Sequence, residues 1–172
     1  MTTLTTSIEI NAPIELVWNV LTDFSKYTDW NRFTPIVETS GRLGDGVTLH
    51  VNLSSGNKLT KSHLIIEQFE PYTLCWGDDN LFVKAHRTQT LEQLGPTKTL
   101  YQSVEPFAGL IKPIIMLAYK DKLMRGYQWA AEGLKAESER LFAQKTEADG
   151  SANFDPSIIQ PQPPSTDLNQ SA

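Results

Sequence analysis

The 172-residue sequence contains a single cysteine, Cys75, and no Cys-X-X-Cys motif. One cysteine cannot form an intramolecular disulfide, and without a Cys/His cluster the chain lacks a ligand set for structural zinc. Long hydrophobic runs are also missing, since the longest, residues 114–119, is far too short to cross a bilayer. The first residues show no basic start followed by an apolar stretch, as a signal peptide would. We therefore expect a cytoplasmic protein with no membrane span and no metal site.

The sequence has fewer basic than acidic residues. Lysine and arginine number 15 against 20 aspartates and glutamates, which gives a formal net charge of -5. A surface of this sign repels the phosphates of nucleic acids, so we expect no nucleic-acid partner. The phosphate-binding, dinucleotide-binding, serine-hydrolase and zinc-protease motifs are missing as well, and we expect no cofactor. The sequence therefore offers no anchor for the common nucleotide-binding, hydrolase or zinc-protease mechanisms.

The composition itself favours a globular domain followed by a tail. Hydrophobic residues make up 40% of the chain and include four tryptophans, which is enough to build a core. After about residue 144 the sequence becomes rich in proline, serine, glutamine and acidic residues. We predict a globular domain over residues 1–144 and a disordered acidic tail over residues 145–172. The tail has one apolar spot, Phe154 with Ile158 and Ile159, and either this spot or the sheet face is a possible contact for a protein partner.

Hydrophobic periodicity predicts the order of the elements. Residues 4–10 alternate between apolar and polar, as in a half-buried strand, and residues 14–21 repeat with helical spacing. A second short helix follows directly. Successive strand and turn patterns over residues 35–107 indicate an antiparallel meander. A long amphipathic helix begins after Gly109 and runs to about Phe142, so the pattern predicts an α+β domain in which a sheet wraps a helix.

Several short motifs occur in a fixed order within residues 4–142: Ile10-Asn-Ala-Pro13, Val17-Trp18, Leu21-Thr-Asp23-Phe24, Tyr27, Trp30-Asn31, Gly41 with Gly44-Asp-Gly46, and Leu134-Lys135. Together they resemble the START-like polyketide cyclase/dehydrase superfamily. The resemblance implies the helix-grip fold, a curved seven-stranded antiparallel sheet around a long C-terminal helix, with two short helices after the first strand. It also implies a hydrophobic cavity, but members of the superfamily differ widely in function.

The long helix supplies most of the predicted cavity wall. Gly126 and Gly133 lie close to its apolar stripe, although a glycine inside a helix costs about 1 kcal/mol relative to alanine. Either a strand backbone approaches the helix closely at these positions, or a ligand occupies the space. Arg87, on a strand, is a candidate to hold a carboxylate head group. The predicted ligand-binding residues are Trp76, Arg87, Ser103, Met116, Tyr119, Leu123, Gly126, Tyr127 and Ala130.

Two further residues are candidates for catalysis. Counting back from the Gly95-Pro-Thr97 turn places His86 approximately opposite Glu105 on the neighbouring strand. In an apolar pocket such a pair can act as a general base for cyclisation or dehydration. In the alternative, both residues face solvent or have a structural role, because a bulge would exchange the two faces of a strand.

Three functions therefore stay open at the level of sequence. The first is binding of a small hydrophobic ligand, such as a lipid, an isoprenoid or an aromatic polyketide-like molecule. The second is a cyclase or dehydratase that uses His86 and Glu105. The third is a module that binds a protein partner.

Overall fold

The computed structural model describes residues 2–53, 56–79, 82, 84–110 and 112–152. Within these ranges the chain forms seven strands, two short α-helices separated by a 3-10 turn, and one long helix. The elements are β1 (Thr2–Ile10), α1 (Ile14–Thr22), the 3-10 turn (Phe24–Lys26), α2 (Tyr27–Trp30), β2 (Ile36–Glu38), β3 (Gly46–Asn52), β4 (Lys58–Glu70), β5 (Thr73–Asp79), β6 (Lys84–Gly95), β7 (Lys98–Ala108) and α3 (Lys112–Ala152).

All seven strands belong to one antiparallel sheet with the order β1-β7-β6-β5-β4-β3-β2. Strands β2 to β7 follow one another as a meander, and the N-terminal strand pairs with β7, the last one. Register shifts in β3–β4, β4–β5 and β6–β7 help to bend the sheet, because a bulge increases the local twist. The sheet curls around α3, and this confirms the predicted α+β helix-grip architecture.

The two faces of the sheet differ sharply along β6 and β7. Side chains alternate between buried and partly exposed positions, as the pleat of a strand requires. The inward-facing residues of the two strands include several polar groups among the apolar ones: Ala85, Arg87, Gln89, Leu91, Thr99, Tyr101, Ser103, Glu105 and Phe107. The concave face of the sheet is therefore a mixed surface, and polar side chains lie next to the core.

The long helix extends further than the sequence predicted. It reaches Ala152, the last described residue, and does not stop near Phe142, because residues 143–148 are exposed but contain no helix-breaking residue. The hydroxyl of Thr146 donates to the carbonyl of Phe142 across this boundary. The predicted tail thus begins as a helix, and its apolar spot at Phe154, Ile158 and Ile159 lies outside the described residues. Among the described residues, no helix combines the length and the apolar character that a membrane span needs.

Candidate ligand-binding site

A cleft of about 620 Å³ opens between the sheet and the first half of α3. Its volume is in the range of small-molecule sites, which are typically about 300–1,000 Å³. Lys58 and Lys61 contribute polar groups to its wall, as does Asp78. The remainder of the wall is largely apolar and includes Leu53, Leu59, Leu64, Ala85, Phe107, Ile115, Tyr119 and Leu123.

A much smaller void of about 20 Å³ lies next to the cleft. Lys61, Leu64 and Leu123 line both spaces, so these three side chains form the partition between them. The void has roughly the volume that one water molecule needs. Trp76 and Tyr127 supply aromatic walls to it.

Arg87 reaches the void from β6 and is almost completely buried, with 5% of its surface exposed. Its Nε donates to the hydroxyl of Ser103 at 2.9 Å, and its guanidinium carbon lies 4.3 Å from the centre of the Tyr127 ring. The guanidinium also donates to the hydroxyl of Tyr101 at 3.4 Å, and that hydroxyl donates to Gln89 at 2.8 Å. A buried charge needs such partners, because removing it from water is costly.

Glu105 lies beside Arg87 on the inner face of the sheet and lines the same void. Only 4% of its surface is exposed. Its Oε2 atom has no hydrogen-bond partner among the described residues. The hydroxyl of Thr34, which also lines the void and is 2% exposed, likewise has none.

The predicted pair of His86 and Glu105 does not form, and that prediction is wrong. The β6–β7 register aligns Arg87, not His86, with Glu105, and a shift of one residue moves a side chain to the other face of the sheet. His86 is on the outer face, where its Nδ1 atom lies 2.7 Å from Oε2 of Glu67. The two candidate catalytic residues are therefore separated by the thickness of the sheet.

Glu67 connects His86 with Cys75 on the outer face of the sheet, and the backbone of Gly77 lies against His86 and Glu67. A Cβ atom at Gly77 would overlap both His86 and Glu67, so glycine lets these two side chains meet across β5. The thiol of Cys75 lies 3.5 Å from Glu67 and accepts a hydrogen bond from Thr88 at 3.4 Å. Burial raises the pKa of Cys75, and Glu67 raises it further against the opposing effect of Thr88, so this thiol is a poor nucleophile. The arrangement therefore connects strands β4, β5 and β6 on the outer face of the sheet.

The two helix glycines are explained by close packing. A Cβ at Gly126 would overlap the ring of Phe33, and a Cβ at Gly133 would overlap the carbonyl of Trp30. The approach is made by α2 and the residues that follow it, and not by a strand backbone or a ligand, the two alternatives that the sequence left open. Gly126 lines neither the cleft nor the void, and the same holds for Ala130, which is buried in the core.

The other predicted ligand-binding residues fall into three groups. Trp76, Arg87 and Tyr127 line the void, Tyr119 lines the cleft, and Leu123 lines both. Ser103 holds the guanidinium of Arg87. Met116 packs against the core and lines neither space.

Sequence reasoning missed most of the cleft wall and part of the void wall, including Leu64, Lys61 and Thr34. Alternation along β4 could have indicated Leu64, which is buried at the partition between the two spaces. Lys61 and Thr34 carry no such signal, because lysine and threonine side chains are mostly exposed in folded proteins.

Comparison with known proteins places this geometry in a family. The family model for polyketide cyclase/dehydrase and lipid transport proteins matches residues 1–139. A START superfamily protein from Mycobacterium smegmatis has a similar structure, with 18% identity and a TM-score of 0.65 over 81% of this chain and 98% of that one. The Zhui aromatase/cyclase from Streptomyces sp. R1128 gives 19% identity and a TM-score of 0.64 over 81% and 94% of the two chains.

A protein from Arthrobacter aurescens is 20% identical, with a TM-score of 0.63 over 80% of this chain and 86% of that one. At these identities the structures establish a common fold. No functionally curated protein matches the sequence. The family model covers most of the chain, and the sheet, the short helices and the long helix agree with it. The chain therefore belongs to the polyketide cyclase/dehydrase and lipid transport family.

Proposed function

We propose that this protein binds a small hydrophobic molecule in the cleft between the sheet and α3. The observation that carries the proposal is the cleft itself, about 620 Å³ of space with largely apolar walls. Apolar surface of this kind gains free energy when a ligand replaces water, at about 25 cal/mol for each Å² removed from solvent. A lipid, an isoprenoid or an aromatic polyketide-like molecule has the size and polarity that such a cleft accepts.

The family supports the same ligand class. Its description names both lipid transport and polyketide chemistry, and both involve mainly apolar molecules. One structural neighbour is described as an aromatase/cyclase, an enzyme class whose substrates are aromatic or become so. Binding is thus the property that the carriers and the enzymes of this family share.

Binding is better supported than the cyclase or dehydratase alternative. That alternative required His86 to act with Glu105, and the two lie on opposite faces of the sheet. The partner-binding alternative drew on the sheet face or on the tail segment Phe154–Ile159, and the tail segment lies outside the described residues. Among the described residues, no observation specifically favours either alternative.

The test is binding of the neutral fluorescent probe N-phenyl-1-naphthylamine to the full chain. Ala85 faces the cleft and is 4% exposed, so Ala85→Phe places a ring in the space that the probe would use. We expect saturable binding to the natural chain and at least tenfold weaker binding to Ala85→Phe. The control is Ala136→Phe, an equal change at an exposed position of α3 away from the cleft, which should stay within about twofold.

Circular dichroism is used to check that both variants are folded. No saturable binding to the natural chain, or equal binding to the natural chain and a folded Ala85→Phe variant, would contradict the proposal.

A further inference from the structure

Two buried polar atoms without partners face the same small space. Oε2 of Glu105 and Oγ1 of Thr34 both belong to side chains that line the 20 Å³ void, and neither has a hydrogen-bond partner in the described part of the chain. The residues are 4% and 2% exposed, so bulk water does not reach them freely. Folded proteins leave few buried polar atoms unpaired, because each one costs free energy that a partner recovers. Two unpartnered oxygen atoms on one void indicate a binding site for a polar group of another molecule.

The chemistry of the void selects that group. A hydroxyl both donates and accepts, so one hydroxyl can pair with the carboxyl group of Glu105 and the hydroxyl of Thr34 together. The volume of the void matches a group of this size. The cationic side chains of Arg87 and Lys61 also line the void, but a ligand carboxylate has no hydrogen to donate to the unpartnered Oε2 of Glu105, whereas a hydroxyl has. The guanidinium of Arg87 is already held by Ser103 and the Tyr127 ring.

The position of the void relative to the cleft defines how a ligand would lie. Lys61, Leu64 and Leu123 line both spaces, so a slender molecule passing between them has one end in the void and the remainder in the cleft. We infer that the void seats the hydroxyl group of an amphipathic alcohol or phenol whose apolar body fills the cleft. This inference rests on the proposed function, and it replaces the expectation that Arg87 holds a ligand carboxylate.

Three probes with the same ten-carbon skeleton test the inference by isothermal titration calorimetry with the full chain. They are 4-phenylbutan-1-ol, butylbenzene and 4-phenylbutanoic acid, which differ only at one end. We expect the alcohol to bind about tenfold more tightly than either of the others, since it gains hydrogen bonds in the void without bringing a charge.

A matched pair of variants locates the effect. Thr34→Val keeps the branched shape and removes the hydroxyl, and it should reduce the advantage of the alcohol over butylbenzene to about threefold or less. Thr6→Val is the control, because Thr6 is also buried with an unpartnered hydroxyl but lines neither the void nor the cleft. It should leave the advantage unchanged. The ranking of the three probes on the natural chain stands as a test even if Thr34→Val does not fold.

The outcomes separate the inference from the proposed function. Equal binding of the alcohol and butylbenzene, as expected if the void only holds water, overturns the hydroxyl seat and leaves the hydrophobic cleft intact. Tightest binding of the acid overturns it in favour of a carboxylate site at Arg87. If none of the three probes binds and N-phenyl-1-naphthylamine also fails to bind, both the hydroxyl seat and the proposed function are refuted.

Discussion

Replacing Gly126 with alanine tests how α3 packs, because two opposing effects meet at this position. In an ordinary helix interior the change is favourable by about 1 kcal/mol, since alanine restricts the unfolded chain and favours the helix. Here the new methyl group would overlap three ring carbons of Phe33, and even the farthest of them, Cγ, lies 2.8 Å from the Cβ position. Carbon atoms in contact are normally about 3.5–4.0 Å apart.

The ring of Phe33 cannot easily move aside. Phe33 is 3% exposed and packs edge-to-face against Tyr127, with ring centroids 5.4 Å apart. Forcing an extra methyl group into such a core typically costs about 1–3 kcal/mol, and the extent of this overlap favours the upper end. After the helical gain of about 1 kcal/mol is subtracted, we expect Gly126→Ala to lower the free energy of unfolding by about 2 kcal/mol.

Urea unfolding followed by circular dichroism measures this loss directly. Ala136→Gly, the reverse change at an exposed position of the same helix, serves as the control and should cost about 1 kcal/mol. In a Phe33→Leu background the ring is gone, and Gly126→Ala should then be neutral or stabilising. A stabilising effect of Gly126→Ala in the natural chain would refute the close packing described here.

Two further predictions concern residues outside the cleft. Because His86 is on the outer face with Glu67, His86→Ala should leave the affinity for N-phenyl-1-naphthylamine within about threefold by fluorescence titration, and a loss of a hundredfold would show that it contributes to the site. Burial raises the pKa of Glu139, but hydrogen bonds from Lys135 and Asn11 outweigh it and hold the pKa below the ordinary 4.5. A lowered pKa in the folded state gives stability that is present above the unfolded value and is lost as the pH falls through the folded one. The stability difference between the natural chain and Glu139→Gln should therefore be largest above about pH 4.5 and shrink in acid, as urea unfolding across the pH range would show, and a difference that does not change with pH would contradict this assignment.

The order of the elements could be predicted because each one has a clear local signal. Alternation identified β1, helical spacing identified α1, and turn residues separated the strands of the meander. The end of α3 could not be predicted from amphipathic spacing. Residues 143–148 continue the helix without a buried face, so amphipathic spacing carries no signal for this segment.

The site could be predicted only in part, because it depends on strand parity and on long-range contacts. Arg87 and Ser103 were predicted as ligand-binding residues, and the structure joins them with a hydrogen bond on the inner face of the sheet. His86 lies one position from Arg87, which the register aligns with Glu105, and that one position moves His86 to the other face. The close packing of the Phe33 ring on Gly126 joins residues almost one hundred positions apart, and no local sequence pattern predicts it.

Methyl NMR tests the central claim, that a hydrophobic molecule binds in the cleft, most directly. The full chain, labelled at isoleucine and leucine methyl groups, is titrated with N-phenyl-1-naphthylamine. We predict shifts at Leu64, Ile115 and Leu123, which line the cleft, and none at Leu16 and Leu141, which lie together elsewhere on the molecule. Saturable binding that leaves the three cleft methyl groups unchanged would contradict the account.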